Sequence, residues 1–171
     1  MRNKKVLFIV QAAMIAAIYV VLTFIANALG MASGTIQVRF SEALCILPFF
    51  TPAAIPGLWI GCLLSNLLTG CVIWDVLFGS LATLLGAVGT YLLRKHKVAC
   101  TLPPVIANML IVPFVLKYAY GVPSVMFHGV DVVIPFNALT VGIGEVISVC
   151  VLGGILLNVL NKYRNVIFQK S

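Results

Sequence analysis

Acid is what this chain has least of: Asp and Glu total 4 of 171 residues, against 11 Lys and Arg. With 62% hydrophobic residues and a mean hydropathy of +1.15, the composition excludes an ordinary soluble domain and reads as an integral membrane protein. An ionisable group held away from water is costly there, so each one is expected to be paired or kept for function. Cysteine is sparse too. Cys45, Cys62, Cys71, Cys100 and Cys150 are odd in number, scattered and without metal-ligand spacing, so they read as small packing residues rather than a disulfide framework or a metal site. No GxxxxGK[ST] loop is present, which excludes ATP hydrolysis by that route. HExxH and GxSxG are absent and His96 and His128 fall in loops, so intramembrane hydrolysis lacks its usual parts and no enzyme is expected.

What is present is organised by charge. Arg2, Lys4 and Lys5 precede the first apolar run, Arg94, Lys95 and Lys97 interrupt the middle, and Lys162, Arg164 and Lys170 follow the last. A net charge of +7 distributed this way points to membrane topology and not to nucleic acid, with all three clusters on the cytoplasmic side. The opening resembles a signal peptide, with Ala26-Asn27-Ala28 as a cleavage-like site, but Val6 to Leu29 exceeds an h-region of about 7–15 residues. It reads as a retained first span. The expected architecture is one all-α membrane domain of six transmembrane helices, at about 6–29, 42–50, 53–69, 74–93, 100–120 and 136–160, with both termini cytoplasmic. The second is short, and the charge rule holds only if it crosses. Ala53, Gly57, Gly61, Ser65 and Thr69 form a stripe of small residues that makes the third span central. Pro103, Pro104 and Pro113 kink or delay the fifth.

On this topology all four acids fall on the outer side or inside the bundle. Glu145 lies about 14 Å below the start of the last span at about 1.5 Å per residue, near mid-bilayer. It reads either as an interhelical partner of Arg39 or Lys117 or as a ligand contact. Arg39 and Glu42, three apart, either pair with each other or meet a ligand. Asp75 suits an N-cap, and Asp131 and His128 suit a loop that can act as a lid. Asn66 and Asn108 are mid-span amides, interhelical glue or polar anchors of a pocket. Trp74 and Phe127, on the outer half, belong to the interfacial belt or sandwich a planar ligand. Ala12, Ala13, Ala16 and Ala17 are overlapping small-xxx-small pairs, for packing within the bundle or for docking another membrane protein. Six spans without an evident inverted repeat are few for a transporter that rocks two halves, which implies a partner or an oligomer.

The run Ile36-Gln37-Val38-Arg39-Phe40-Ser41-Glu42-Ala43-Leu44, followed by Leu47-Pro48-Phe49-Phe50-Thr51-Pro52-Ala53-Ala54-Ile55-Pro56-Gly57-Leu58, resembles the QueT family. So do Gly61-Cys62-Leu63-Leu64-Ser65-Asn66, the run Asp75 to Leu84 and Gly142-Ile143-Gly144-Glu145. The likeness covers nearly the whole chain and is most specific from Arg39 to Gly57. It implies a substrate-binding S component of an energy-coupling factor (ECF) transporter for queuosine precursors or related 7-deazaguanines, in a bacterial plasma membrane. Such a subunit would work with a coupling transmembrane protein and two ABC ATPases, carry no cofactor itself, and topple to release its cargo as its partners use ATP. The paired alanines resemble the AxxxA docking motif of these subunits. Within the pocket, Glu145 or Glu42 would take the guanine-like edge, Asp75 the other polar end, and Arg39 or Asn108 the carbonyl, with Trp74 or Phe127 stacked on the ring. Two other readings stay open: an S component for a different vitamin-like molecule, and a membrane enzyme or scaffold holding a lipid head group.

Overall fold

Long apolar runs with few breakers become helices, and the polar and glycine-bearing links between them become turns. The structure, a computed structural model, describes residues 3–31 and 36–164. Arg2 and Lys170 of the basic clusters, and residues 32–35 of the first loop, lie outside the described residues. Helix α1, Lys4–Ala28, starts at Asn3, whose side chain accepts the Lys5 N–H at 3.1 Å. After an extended stretch at residues 37–39 comes a ten-residue 3-10 helix, Phe40–Phe49. Then follow α2 (Ala54–Leu68), α3 (Ile73–Leu92) and α4 (Leu102–Tyr118), the last preceded by a short 3-10 turn at Ala99–Thr101. A small antiparallel hairpin, β1 (Met126–Phe127) and β2 (Val130–Asp131), leads into α5 (Val133–Glu145). This helix runs on through a π-wound stretch, Val146–Leu152, into α6 (Gly153–Lys162).

Side-chain contacts fix the direction of each segment. Tyr19 meets Glu42, Thr23 Oγ1 donates to Ser41 Oγ at 2.9 Å and Thr51 Oγ1 to Gln11 Oε1 at 3.1 Å, so the 3-10 helix runs back along α1. Helix α2 then runs parallel to α1, because Gly57 faces Ala12 and Gly61 faces Ala16. A Cβ on Gly57 would lie 2.7 Å from the Ala12 carbonyl oxygen, so this approach of two backbones requires glycine. Asn66 near Asp75 and Thr83 near Cys62 make α3 antiparallel to α2. Gly86 and Gly89 against Pro104 and Pro103 make α4 antiparallel to α3. The last helix runs alongside the 3-10 helix, with Gly144 at Gln37, Ser148 at Arg39 and Gly153 at Ala43.

The chain therefore reverses at every link. Lys4, Lys5, Arg94, Lys95, Lys97, Lys162 and Arg164 come to one end of the bundle, and the α1–3-10, α2–α3 and α4–α5 links to the other. Among the described residues four helices are long and apolar enough to cross a membrane: Lys4–Ala28, Ile73–Leu92, Ala99–Tyr118 and Val133–Lys162. Helix α2 and the 3-10 helix are shorter, at 15 and 10 residues. The segment expected as the second span is a 3-10 helix, whose rise of about 2.0 Å per residue carries ten residues about 20 Å instead of the 15 Å or so of an α-helix. Ser41 through Phe49 are all buried. This segment is the pin around which the other helices stand, and its neighbours rather than lipid satisfy its surface.

Candidate functional site

At the end opposite the basic residues the helices part around a hollow of about 320 Å³. Its walls come from the end of α1 (Thr23, Asn27), the extended stretch before the 3-10 helix (Gln37, Arg39), the end of α2 (Asn66), the start of α3 (Asp75) and the end of α4 (Tyr120). These polar residues come from helix ends and from the links between helices, so they reach the hollow without interrupting the middle of an apolar span.

Asp75 organises the far wall. It does not cap α3: the N-cap is Val72, and no side chain caps it. Asp75 sits in the first turn, where the exposed N–H groups favour an anion, and its Oδ2 accepts the Tyr120 hydroxyl at 2.9 Å. Burial first, and then the neighbouring carboxylate, raise the Tyr120 phenol above its ordinary value, so it remains a donor at neutral pH. Asn66 donates to the Asp75 carbonyl at 3.4 Å and also lines the hollow, which makes it both interhelical glue and wall. Gly79 leaves the space for this cluster, since a Cβ there would meet Asp75 Oδ1 at 3.0 Å and Asn66 Nδ2 at 3.2 Å.

Arg39 faces Asp75 across the hollow and forms no ion pair among the described residues. Its Nη2 reaches Gln37 Oε1 at 3.5 Å, a long contact, and its backbone N–H donates to Ser148 Oγ at 3.1 Å. Ser148 in turn donates to the Gly144 carbonyl at 2.9 Å. The π-wound stretch that begins directly after Glu145 thus anchors the Arg39 backbone, and such windings are frequent at functional positions. Behind Gln37 and Arg39 lies a second, much smaller void of about 10 Å³, lined also by Asn108 and Glu145.

Not all the residues singled out in the sequence meet here. Glu42 is buried below the hollow and accepts from the Tyr19 hydroxyl and, at 3.0 Å, from Cys45 Sγ. It is satisfied from within the protein and pairs with no cation among the described residues. Trp74, adjacent to Asp75 in sequence, points about 100° away around the helix; it is 53% exposed and stacks on Phe78 at 6.0 Å beside an outer apolar groove. Phe127, 65% exposed, lies at the hairpin against His128. Neither aromatic lines the hollow, and the aromatic ring in its described wall is that of Tyr120. Lys117 is not the partner of Glu145: its Nζ sits 2.9 Å from Asp131 Oδ2. That hydrogen bond, more than any other contact, holds the Asp131 carboxyl below its usual range. The four alanines divide, with Ala12 and Ala16 against α2 and Ala13 and Ala17 exposed.

Sequence reasoning missed Tyr19, Gln37, Asn137 and Ser148. Asn137, an amide on α5 two turns before Glu145, ends in a buried Nδ2 with no hydrogen-bond partner among the described residues. A polar amide in an apolar run is the signal that could have found it; the others act through neighbours that only the fold supplies.

Residues 9–162 match the family described as QueT transporter. The chain is 39% identical over 98 residues to the queuosine precursor transporter QueT of Lactococcus lactis subsp. cremoris, a match covering 57% of this chain and 57% of that protein. The matched part is thus little more than half the length of that relative. No solved structure matches the chain. The family match runs over nearly the whole helical bundle, and the chain belongs to the QueT transporter family.

Proposed function

We propose that this chain is the substrate-capture S component of an ECF importer, and that its cargo is a queuosine precursor or related 7-deazaguanine. The observation that carries the reading is the pairing of charges across the hollow: Asp75 and Arg39 face one cavity of about 320 Å³ without bonding to each other. Sites for small molecules are concave, and a few polar groups in them fix orientation. A precursor bearing an aminomethyl group offers a cation to Asp75, and its ring carbonyl offers an acceptor to Arg39. The volume suits one bicyclic heterocycle with a short substituent. The relative's name as a queuosine precursor transporter supports the same cargo.

By the positive-inside rule the basic end lies in the cytoplasm, so both termini are inside and the hollow faces outward from a bacterial plasma membrane. In this reading ATPase partners drive uptake, since the chain carries no phosphate loop of its own. The coupling protein docks on α1 along Ala13 and Ala17, the alanines left exposed, and toppling of the bundle then delivers the cargo inward.

Mass spectrometry of the ligand retained through purification, followed by uptake into proteoliposomes, tests this. A deazapurine bound by the isolated chain, and uptake that requires the coupling protein, the ATPases and ATP, is the expected result. A copurified vitamin of another class, turnover of a lipid, or uptake by the chain alone contradicts it.

A further inference from the structure

Asp75 is held by a residue from another part of the chain. Tyr120 follows the end of α4, on the link to α5, and its hydroxyl donates to Asp75 Oδ2 at 2.9 Å. The phenol oxygen also accepts the Val72 N–H at 3.4 Å, at the end of α3 that no side chain caps. One phenol therefore clips the α2–α3 link to the α4–α5 link, and its single proton goes to one carboxylate oxygen. The other oxygen, Oδ1, accepts no hydrogen bond among the described residues. It is not sealed off, since it is absent from the buried polar atoms that lack a partner, and Asp75 lines the hollow. Gly79 keeps this side clear, because a Cβ there would lie 3.0 Å from Oδ1.

From this division of the two oxygens we infer that Tyr120 is the positioning residue for the ligand's cationic substituent: it fixes the Asp75 carboxylate with Oδ2 held by the protein and Oδ1 left for the cation. An aspartate turns about two torsions, and ordering it only when the ligand arrives costs affinity. A carboxylate ordered beforehand by a neighbouring donor avoids that cost. This role rests on the cargo proposed above, in which Asp75 meets the aminomethyl group, and names the residue through which Asp75 does so. Arg39, on the opposite wall, is anchored separately, through its backbone bond to Ser148. A change at Tyr120 therefore acts on the substituent and not on the ring. If Tyr120 only tied down the start of α3, its loss would affect every ligand alike.

Calorimetric titration of the full chain in nanodiscs, with 7-aminomethyl-7-deazaguanine and with 7-deazaguanine, reads this role as the ratio of the two affinities. Wild type should favour the first probe. Tyr120→Phe, which removes one oxygen and keeps the ring, should lower the ratio roughly 2- to 12-fold, the cost of ordering one side chain on binding, and leave the second probe at wild-type affinity. In an Asp75→Asn background the same change should leave the ratio where Asp75→Asn alone puts it, because the hydroxyl acts through the carboxylate. A loss equal for both probes, an unchanged ratio, or a loss that adds in full to that of Asp75→Asn overturns the inference and leaves the cargo reading standing. Should Tyr120→Phe fail to fold, Gly79→Ala displaces the same carboxylate from its other side; a lowered ratio is expected there, and an unchanged one overturns the inference. A wild-type ratio near one refutes the pairing of Asp75 with the substituent, and binding of neither probe refutes the cargo; the positioning role falls in both cases.

Discussion

A carboxylate inside a membrane protein is either used by the fold or kept for something else, and the partners of each acid sort them. Glu42 has two internal donors, Tyr19 and Cys45, in a pocket of buried residues. Removing one leaves a buried polar group short of a bond, so Tyr19→Phe should destabilise the protein by about 1–3 kcal/mol, read as a lower Tm, and leave the ranking of ligand analogues unchanged. Asp131 is tied to Lys117 and Ser124 in the open, and its carboxyl is lowered chiefly by Lys117. A lowered carboxyl contributes above its ordinary value near 4, and the contribution is lost as pH falls through the lowered folded value. Proteolysis within the hairpin should therefore accelerate in strong acid for the wild type and show no such pH dependence in Asp131→Asn. The acids were visible in the sequence as rare residues, but their roles were not, because the partners of Glu42 and Asp75, Tyr19 and Tyr120, lie 23 and 45 residues away.

At the scale of elements, close approach of backbones positions the site. Gly144 admits the Gln37 carbonyl against α5, and Gly154, in the same continuous helix, has open space around it. Gly144→Ala should cost about 1–3 kcal/mol as an overpacked contact and weaken ligand binding by displacing Gln37 and Arg39. Gly154→Ala should instead stabilise by about 0.5–1 kcal/mol through helix propensity; thermal unfolding of the two variants side by side checks both. The sequence made the apolar runs and the glycine stripe of α2 legible, and the observed segments begin and end within a few residues of the expected ones. It left the 3-10 winding of Phe40–Phe49 and the π-wound stretch after Glu145 unread, since both are set by packing against neighbours and not by local periodicity. Of the two readings open for Trp74 and Phe127, belt or ligand sandwich, their exposure and their absence from the wall of the hollow favour the first. A residue one position from Asp75 faces another way, and a two-residue hairpin holds its aromatic out of the hollow.

For the whole molecule, one end carries the described basic clusters and the other the hollow, and the exposed face of α1 is left for contact with lipid or partner. Ala13→Leu with Ala17→Leu adds bulk to that face alone. Ligand affinity of the isolated chain should be unchanged, and ATP-dependent uptake with the partner subunits should fall at least tenfold, as measured in proteoliposomes. Equal loss of binding and uptake would place these alanines in the fold instead. The central claim is that opposite charges across one outward hollow hold a queuosine precursor, and Asp75 is where it can fail. Titration of purified wild type and Asp75→Asn with an aminomethyl deazaguanine should show binding that weakens roughly 10- to 150-fold in the variant; equal affinity in the two proteins would contradict the account.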